Sequence, residues 1–263
     1  MNPLQPASFD NYALTYDDHF TNSVIGKAQR DIVQSYVEGS LYELKNVLEV
    51  NCGTGEDAVF IAGKVNSVVC TDASQKMIDV AKTKTAVLKN CSIFKTSIQE
   101  LQEKVQGKFD IIFSNFGGLN CLSHEEIRKF SETCKYFLDD RGELVFVVMG
   151  RKCMWERLYF RMKGLKNESM RRKESKGVST NINETEFLTY YYSPSEMETI
   201  FRRDFKTLFI KPVGIFIPPS YLEPFFARHR FLFSVCKLFD KMFRNMSFLS
   251  DYSDHYIIHF QKK

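Results

Sequence analysis

The sequence predicts an α/β protein with a doubly wound, largely parallel sheet, and two continuous apolar runs carry that prediction. Residues 47–50 form the first run, which passes into Gly53 and Gly55 and then into helical spacing over residues 56–62. Residues 109–113 form the second run, which passes into the loop SNFGGLN. Strands buried on both faces are continuously apolar, and ligand loops follow their carboxyl ends. A ligand site is therefore expected where these two strands end.

The size and composition of the chain fit one such sheet with insertions. At 263 residues the chain is long enough for one good α/β core, and its net charge of +4 does not by itself imply nucleic acid. The seven cysteines are scattered without zinc spacing, so we expect reduced thiols and no metal site. The N-terminus lacks an apolar signal core, and no run reaches membrane-spanning length, which predicts a cytoplasmic protein.

The acidic residues near the first strand indicate which ligand the glycine loop holds. Gly53, Gly55 and Ala58 satisfy the dinucleotide pattern G-x-G-x-x-G/A, but small residues at this spacing are common. Glu49 lies four residues before Gly53, where it would repel a pyrophosphate and attract a cation. Asp72 ends the next predicted strand and suits a ribose diol. Together these acids favour S-adenosylmethionine (SAM) over a nicotinamide dinucleotide, which is the distant alternative.

Residues 47–62, VLEVNCGTGEDAVFIA, resemble the class I SAM-dependent methyltransferases, whose first motif reads roughly (D/E)-x-G-x-G-x-G. Asn51 departs from that motif because it stands at the usual first glycine, which predicts a backbone less free to approach the ligand. Residues 9–20, 109–115 and 141–149 are similar to the family's N-terminal segment, fourth strand and fifth strand. The motifs NCGTGED, SNFGGLN, PPSYLE and DHYIIHF resemble a bacterial, Bacteroidetes-like branch of small-molecule type.

The resemblance implies a Rossmann-like, doubly wound seven-stranded sheet of order 3-2-1-4-5-7-6 with the last strand antiparallel. It implies a single methyltransferase domain over residues 1–263, with helical and lid insertions. Residues 1–40 would form an N-terminal helical lid, and residues 151–189 and 218–250 would be insertions on the substrate side. SAM would be the cofactor and S-adenosylhomocysteine (SAH) the product.

The expected cofactor residues come from the lid, the glycine loop and the ends of the first four strands. Arg30 is a candidate partner for the SAM carboxylate. Met77 could cover the adenine edge or pack in the core. Ser97 stands where many family members carry an acid. The full predicted set is Tyr16, Arg30, Glu49, Asn51, Gly53, Gly55, Asp72, Ala73, Met77, Ser97, Ile98, Asn115 and Phe116.

The acceptor side is less defined, because no motif singles out a general base. The expected substrate contacts are Phe116, Asn120, Trp155, Tyr191 and Tyr221. The candidate catalytic groups are His255, His19 and Tyr191. Asp254 precedes His255 and could orient it, but a pair at the start of a strand is expected to be exposed.

The aromatic C-terminal half predicts methyl transfer to a small, largely hydrophobic or aromatic molecule at oxygen. The first alternative is a methyltransferase acting on RNA or protein through residues 161–176, which contain seven Lys or Arg. That segment is more simply explained as mobile and solvated. The second alternative is a SAM-binding protein without turnover.

Residues 221–248 form a predicted helical stretch that is dense in phenylalanine. We expect burial or a pocket lining there in preference to contact with a membrane interface. The side chains concerned are Phe225, Phe226, Phe231, Phe233, Phe239 and Phe243. The sequence does not indicate an oligomeric state.

Overall fold

The two apolar runs lie side by side in the middle of a seven-stranded sheet of order β3-β2-β1-β4-β5-β9-β8. The computed structural model describes residues 9–182 and 185–263, so the predicted polar tail, residues 1–8, lies outside the described residues. A separate two-stranded hairpin pairs β6 with β7. The strands are β1 (Asn46–Val50), β2 (Ser67–Asp72), β3 (Cys91–Lys95), β4 (Phe109–Ser114), β5 (Leu138–Met149), β6 (Val178–Ile182), β7 (Thr185–Thr189), β8 (Phe205–Val213) and β9 (His255–Lys262).

The last strand in the chain reverses direction and inserts between two others. Strand β9 pairs antiparallel with both β5 and β8, whereas β1, β2, β3, β4 and β5 run parallel. This is the predicted order 3-2-1-4-5-7-6, so the fold prediction is confirmed. Residues 205–217 are predicted from the sequence as the sixth strand, but that strand ends at Val213.

Helices cover both faces of the sheet, and their starts follow predicted capping signals. The sequence predicts helices that begin at Ser74, Ser123 and Ser193, and these three side chains do accept from backbone N–H groups at the helix starts. The helices are α1 (Ala13–Tyr16), α2 (Val24–Val37), α3 (Glu56–Ala62), α4 (Gln75–Thr85), α5 (Leu101–Lys104), α6 (His124–Phe137), α7 (Met154–Met162), α8 (Pro194–Phe201), α9 (Glu223–Arg228) and α10 (Arg230–Phe243).

Strand β9 shows how the sequence builds two cores, one on each face of the sheet. Successive side chains of a strand point to opposite faces. Tyr256, Ile258 and Phe260 therefore join one buried cluster, and Ile257 joins the other. Strict alternation of side chains in DHYIIHF predicts this division between the two faces, which is thus confirmed.

The basic segment, residues 161–176, is exposed to solvent over most of its length, as its charge predicts, but one of its arginines is buried. It continues α7 and then forms a 3₁₀ helix over Glu168–Lys173. Arg172 points inward and is only 6% exposed, with Nη2 at 3.0 Å from Glu156 Oε2 and 2.8 Å from Asp254 Oδ1. Arg172 is buried because the buried carboxylates on neighbouring elements require a cation.

The phenylalanine-rich stretch is divided at His229 into α9 and α10. Phe226 and Phe233 are buried, as expected. Phe231 is 85% exposed, and Phe225 and Phe239 are also exposed, so burial accounts for only part of the stretch. In the described part of the chain, no helix has the length and apolar character needed to cross a bilayer.

Candidate functional site

The loop between β1 and α3 is built from residues in the left-handed backbone region. Asn51, Gly53 and Gly55 have φ values of 57°, 54° and 78°. Asparagine is one of the few residues that visits this region readily, so Asn51 adopts the conformation that its position requires. The restriction predicted for Asn51 is therefore wrong. A Cβ built on Gly53 would meet nothing within 4 Å, which leaves open space beside that backbone.

Asp72, at the end of β2, fixes the glycine loop from the neighbouring strand. Its Oδ2 accepts the Gly53 N–H at 2.9 Å, and its Oδ1 accepts the Ser74 N–H at 2.9 Å. Burial raises the pKa of Asp72, and these backbone donors oppose the rise. Each oxygen keeps a lone pair, so the carboxylate fits the diol role predicted for it.

Glu49 lies beneath the loop as a buried carboxyl group that is only 2% exposed. Cys70 Sγ donates to Glu49 Oε2 at 3.4 Å. Burial, and then the nearby Asp57, raise the pKa of Glu49 well above its usual range. A cationic group arriving beside it would favour the charged form, which suits an ammonium ligand.

Arg30 belongs to a buried cluster that the sequence only partly predicts. Its Nη1 donates to Asp57 Oδ2, to which Asn115 Nδ2 also donates at 2.9 Å. The guanidinium carbon lies 5.1 Å from the centre of the Phe116 ring. Burial lowers the pKa of Arg30, but Asp57 outweighs burial and raises it overall. Sequence reasoning missed Asp57, whose only signal is a carboxylate in the first turn after the glycines.

The described part of the N-terminal segment lies over the glycine loop. The Tyr12, Tyr16 and Phe20 rings follow one another at 5.5 and 5.7 Å, which confirms that they share one helical face. The stack continues to Phe116 at 5.1 Å. Burial raises the pKa of Tyr16, so its hydroxyl stays protonated.

Asp17 holds this segment against the loop through hydrogen bonds to side chains that were not predicted from the sequence. Its Oδ1 accepts from Thr54 Oγ1 at 2.7 Å, and its Oδ2 accepts from Lys84 Nζ at 2.8 Å. The same ammonium contacts Glu56 Oε2 at 2.9 Å. The segment is thus held across the mouth of the loop by a charged contact to α4.

The predicted adenine side lies at the ends of β2 and β3. The Thr96 N–H donates to the Asp72 carbonyl at 3.0 Å, which brings Ser97 and Ile98 beside Ala73. Ser97 caps the 3₁₀ helix Ile98–Glu100, and Ile98 is buried. Met77 is 3% exposed and lies in the first turn of α4. Its burial fits core packing as well as an adenine contact.

Asp254 and His255 are buried, which corrects the expectation of an exposed pair. They are 3% and 7% exposed. The register pairs His255 with Met149 of β5 on one side and with Val213 of β8 on the other, so both neighbours cover the strand start. His255 Nδ1 lies 3.3 Å from Asp254 Oδ2, and this buried nitrogen forms no hydrogen bond with any described residue.

Asp254 is held in its charged form by basic and polar neighbours. Arg172 Nη2 donates to its Oδ1 at 2.8 Å, and Gln29 Nε2 donates to its Oδ2 at 3.2 Å. Burial alone would raise the pKa of Asp254, but His255 and Arg172 outweigh it and hold the pKa well below its usual range. Asp254 is therefore a permanent anion beside the imidazole.

Phe116 connects this pair to the predicted cofactor cluster. Its ring lies edge-on to the His255 ring at 5.4 Å and under the Arg30 guanidinium. Its φ of 41° is unusual for a bulky residue and points to a functional constraint. His255 therefore packs against Phe116, which follows Asn115 in the loop after β4.

Three aromatic residues predicted to contact substrate lie around the Arg172 cluster. Tyr191 is 4% exposed and packs under Arg172, with 4.9 Å between the guanidinium carbon and the ring centre. Trp155 packs against Phe226 at 5.8 Å, and its buried Nε1 has no hydrogen-bond partner among the described residues. Tyr221 remains 40% exposed. These rings form an apolar wall. Its one hydrogen-bond donor without a partner among the described residues is the Trp155 Nε1–H group.

Two other predicted residues have different surroundings. Asn120 is fully buried, and its Nδ2 donates to the carbonyls of Met149 and Tyr190 at 3.2 and 2.6 Å. The structure therefore makes it a brace between loops and not a substrate contact. His19 is exposed, and its Nδ1 lies 2.8 Å from the Thr15 carbonyl of its own helix. It does not approach the other candidates for the general base.

The site fits an adenosyl cofactor by two features of its own. There is open space beside Gly53, and the buried Asn51 Nδ2 has no partner in the described part of the chain. An unpaired buried donor in the same loop as this open space indicates a ligand acceptor. Among residues 9–182 and 185–263, no group of three or more His, Cys, Asp or Glu side chains could hold a metal ion.

Comparison with known proteins identifies the kind of domain. Residues 47–142 match a family model described as a methyltransferase domain, and this span begins in β1 and ends within β5. This span of the chain is therefore a methyltransferase domain of the SAM-dependent kind. Its cofactor is SAM, and SAH is the product of the transfer.

Relatives of this methyltransferase include proteins with and without a named activity. An uncharacterized protein of Methanocaldococcus jannaschii is 26% identical over 232 residues, covering 82% of this chain and 85% of that protein. Malonyl-[acyl-carrier protein] O-methyltransferase 1 of Ilyobacter polytropus is 28% identical over 153 residues, covering 57% of this chain. The match spans only 53% of that enzyme's own length.

Solved structures share the fold of this methyltransferase at low identity. The DhpI–SAH complex has a TM-score of 0.63 at 13% identity, covering 98% of this chain and 95% of that one. Magnesium protoporphyrin IX methyltransferase of Synechocystis with bound SAH has a TM-score of 0.56 at 15% identity, covering 91% and 85%.

Substituting Gly118 by alanine is expected to weaken SAM binding by at least about tenfold. A Cβ at residue 118 would lie 2.5 Å from Asn51 Cβ, so Asn51 must move and carry the glycine loop with it. Calorimetric titration of SAM into the purified variant measures the change. Gly39→Ala is the matched control, because its Cβ would meet nothing within 4 Å. Equal affinity in all three proteins would show that Asn51 does not line the cofactor site.

Proposed function

We propose that this methyltransferase transfers a methyl group to an oxygen atom of a small, largely hydrophobic or aromatic acceptor. The observation that carries the proposal is the buried Asp254–His255 pair, which contacts Phe116 at the end of β4. A general base is needed when the acceptor hydroxyl keeps its proton at ambient pH. A neutral amine or a thiolate would not require one, so the pair favours an alcohol or phenol.

The residues divide the work of the reaction between them. His255 Nε2 takes the hydroxyl proton, and Asp254 stabilises the imidazolium that forms and orients the ring. SAM, when bound, supplies a methyl carbon activated by its positive sulfur. The Phe116 and Trp155 rings exclude water from the acceptor and position it. The acceptor leaves as a methyl ether or ester.

The cofactor would be held by the residues whose surroundings fit its charges. Asp72 would take the ribose diol, and Glu49 the ammonium group. Arg30 would attract the carboxylate, although Asp57 already neutralises much of its charge. Asn51 Nδ2 and the open backbone beside Gly53 would line the methionine and sugar. Ala73, Met77, Ser97 and Ile98 would surround the adenine.

The lid and insertions predicted from the sequence would close this site. Residues 9–21 lie across the glycine loop, with the Tyr16 ring beside Phe20. Residues 151–189 contribute Trp155, and residues 218–250 contribute Tyr221. We assign these segments to the control of water and acceptor access within one methyltransferase domain.

The known relatives do not decide which atom is methylated. Malonyl-[acyl-carrier protein] O-methyltransferase 1 carries an oxygen acceptor in its name. NodS of Bradyrhizobium japonicum is named an N-methyltransferase, with a TM-score of 0.55 at 13% identity. The oxygen assignment therefore depends on the Asp254–His255 pair of this chain.

A screen of acceptor classes tests the proposal. Phenols, quinols and hydrophobic carboxylic acids are incubated with the protein and SAM, beside anilines, thiols, RNA and a protein mixture. Mass spectrometry is expected to show the gain of one methyl group in the oxygen acceptors, with matching SAH. Methylation of RNA or protein alone would overturn the small-molecule assignment. SAM binding without any product would favour a protein that binds SAM and does not turn it over.

A further inference from the structure

Helix α10 exposes a broad apolar surface that the methyl-transfer site does not use. Phe231, Leu238 and Met242 are 85%, 59% and 61% exposed. With Val235 they follow the spacing i, i+4, i+7, i+11, so they form one continuous stripe on the helix. We call this stripe, with the adjacent Phe239, the outer face of α10. It consists of Phe231, Val235, Leu238, Phe239 and Met242.

Basic residues border this face, and the one nearby acid, Asp240, is buried. Arg230, Lys237 and Lys241 are exposed along one side of the stripe. Asp240 is 1% exposed, and its Oδ1 accepts the Phe216 N–H at 2.9 Å. Between residues 224 and 250 there are five Lys or Arg and one Asp, a net charge of +4. This stretch therefore carries a charge equal to the net +4 of the whole chain.

The inner side of α10 packs against the rest of the domain. The exposed outer face is therefore not a consequence of a missing core contact on the inner side. Phe233 is buried and packs on Phe226 at 6.0 Å. Glu223, which opens α9, accepts the Val24 and Ile25 N–H groups at 2.9 and 3.0 Å at the start of α2. The helix is thus fixed to the domain while its apolar stripe faces outward.

We propose that the outer face of α10 docks onto the surface of an anionic lipid bilayer. An amphipathic helix with aromatic and aliphatic residues on one face and Lys or Arg beside them lies in the interface plane. The apolar stripe enters the acyl boundary, and the flanking cations contact anionic headgroups. Phe248, which is 71% exposed just beyond the helix, extends the apolar surface. The inference does not depend on which atom the enzyme methylates.

The charge pattern favours a bilayer over a second copy of this chain. Packing two outer faces against each other would bring two sets of basic residues together, with no exposed acid between residues 224 and 250 to pair with them. Like charges brought together at an interface oppose association. An anionic bilayer neutralises these charges instead.

Vesicle flotation with the full-length protein tests the proposal. Vesicles of phosphatidylcholine alone are compared with vesicles containing phosphatidylglycerol, at low and at high salt. The protein is expected to float with the anionic vesicles and to dissociate as salt rises. Lys237→Gln combined with Lys241→Gln is expected to lower the partition coefficient roughly 30-fold, since each basic residue contributes about fivefold near an anionic surface.

A second variant separates the apolar contribution from the charge. Phe231→Ser, Leu238→Ser and Met242→Ser together are expected to lower anionic-vesicle binding at least about 100-fold. The matched control is Leu44→Ser with Val87→Ser, which removes two side chains that are 82% and 86% exposed on other elements. The thermal melting and SAM binding of each variant show whether it is folded.

Three outcomes would overturn the inference. Equal binding to neutral and anionic vesicles would remove the role of charge. Self-association in sedimentation velocity, without vesicle binding and lost in the serine variant, would assign the face to a second copy. A monomer that binds neither type of vesicle would leave the face without a lipid role.

Discussion

Replacing His255 by alanine is expected to lower kcat for a simple phenol by about 10²- to 10⁴-fold, the range typical of general base catalysis. The affinity for SAM should be unchanged, because the contacts of the ring are with Phe116 and Asp254 and not with the glycine loop. Calorimetry and initial-rate measurements separate these two quantities.

The choice of acceptor distinguishes a base from a structural histidine. A nitrophenol that is already ionised at the assay pH has no proton to lose. His255→Ala should therefore methylate it at nearly the wild-type rate, whereas an unsubstituted phenol should react poorly. A loss that is equal for both acceptors would contradict the role as a base and assign His255 to packing. His19→Ala serves as the control, because this exposed ring bonds only to its own helix.

Replacing Asp72 by asparagine is expected to weaken SAM binding about 100-fold, or about 2.8 kcal/mol. Asp72 accepts two backbone N–H groups, one from Gly53 and one from Ser74. An amide offers one acceptor oxygen, and its NH₂ group would face the other donor. The variant therefore loses loop order and the predicted diol contact together. Calorimetric titration with SAM and SAH measures the effect.

Asp110→Asn is the matched control for that substitution. Asp110 Oδ2 also accepts a backbone N–H, from Asn46 at 2.8 Å, but it lies at the start of β4 and not at its carboxyl end. The SAM affinity of this variant should equal that of the wild type. If Asp72→Asn and Asp110→Asn gave equal losses, the effect would be one of general stability. If neither weakened binding, the cofactor would not use the end of β2.

The order of the sheet and the glycine loop could be predicted because local rules decide them. Continuous apolar runs, capping serines and strict alternation in β9 each act over a few residues. The resemblance then supplied the strand order, which a single sequence does not contain. The backbone of Asn51 was misjudged because asparagine readily adopts the left-handed conformation that this position requires.

The acceptor side could not be predicted because its residues meet only in the folded chain. Arg172 and Asp254 are 82 residues apart, and Arg172 lies in no motif. The burial of His255 follows from the pairing of β9 with both β5 and β8, which the alternation of residues does not reveal. The exposure of α10 likewise depends on how much of its apolar surface the domain covers.

The most direct test of the central claim uses an aminophenol, which offers an oxygen and a nitrogen on the same ring. The protein is supplied with SAM carrying a ¹³C-labelled methyl group, and the product is read by NMR. If Asp254 and His255 serve an oxygen acceptor, the labelled carbon appears as a methoxy group and disappears in His255→Ala. A labelled N-methyl group that persists in His255→Ala would contradict the claim.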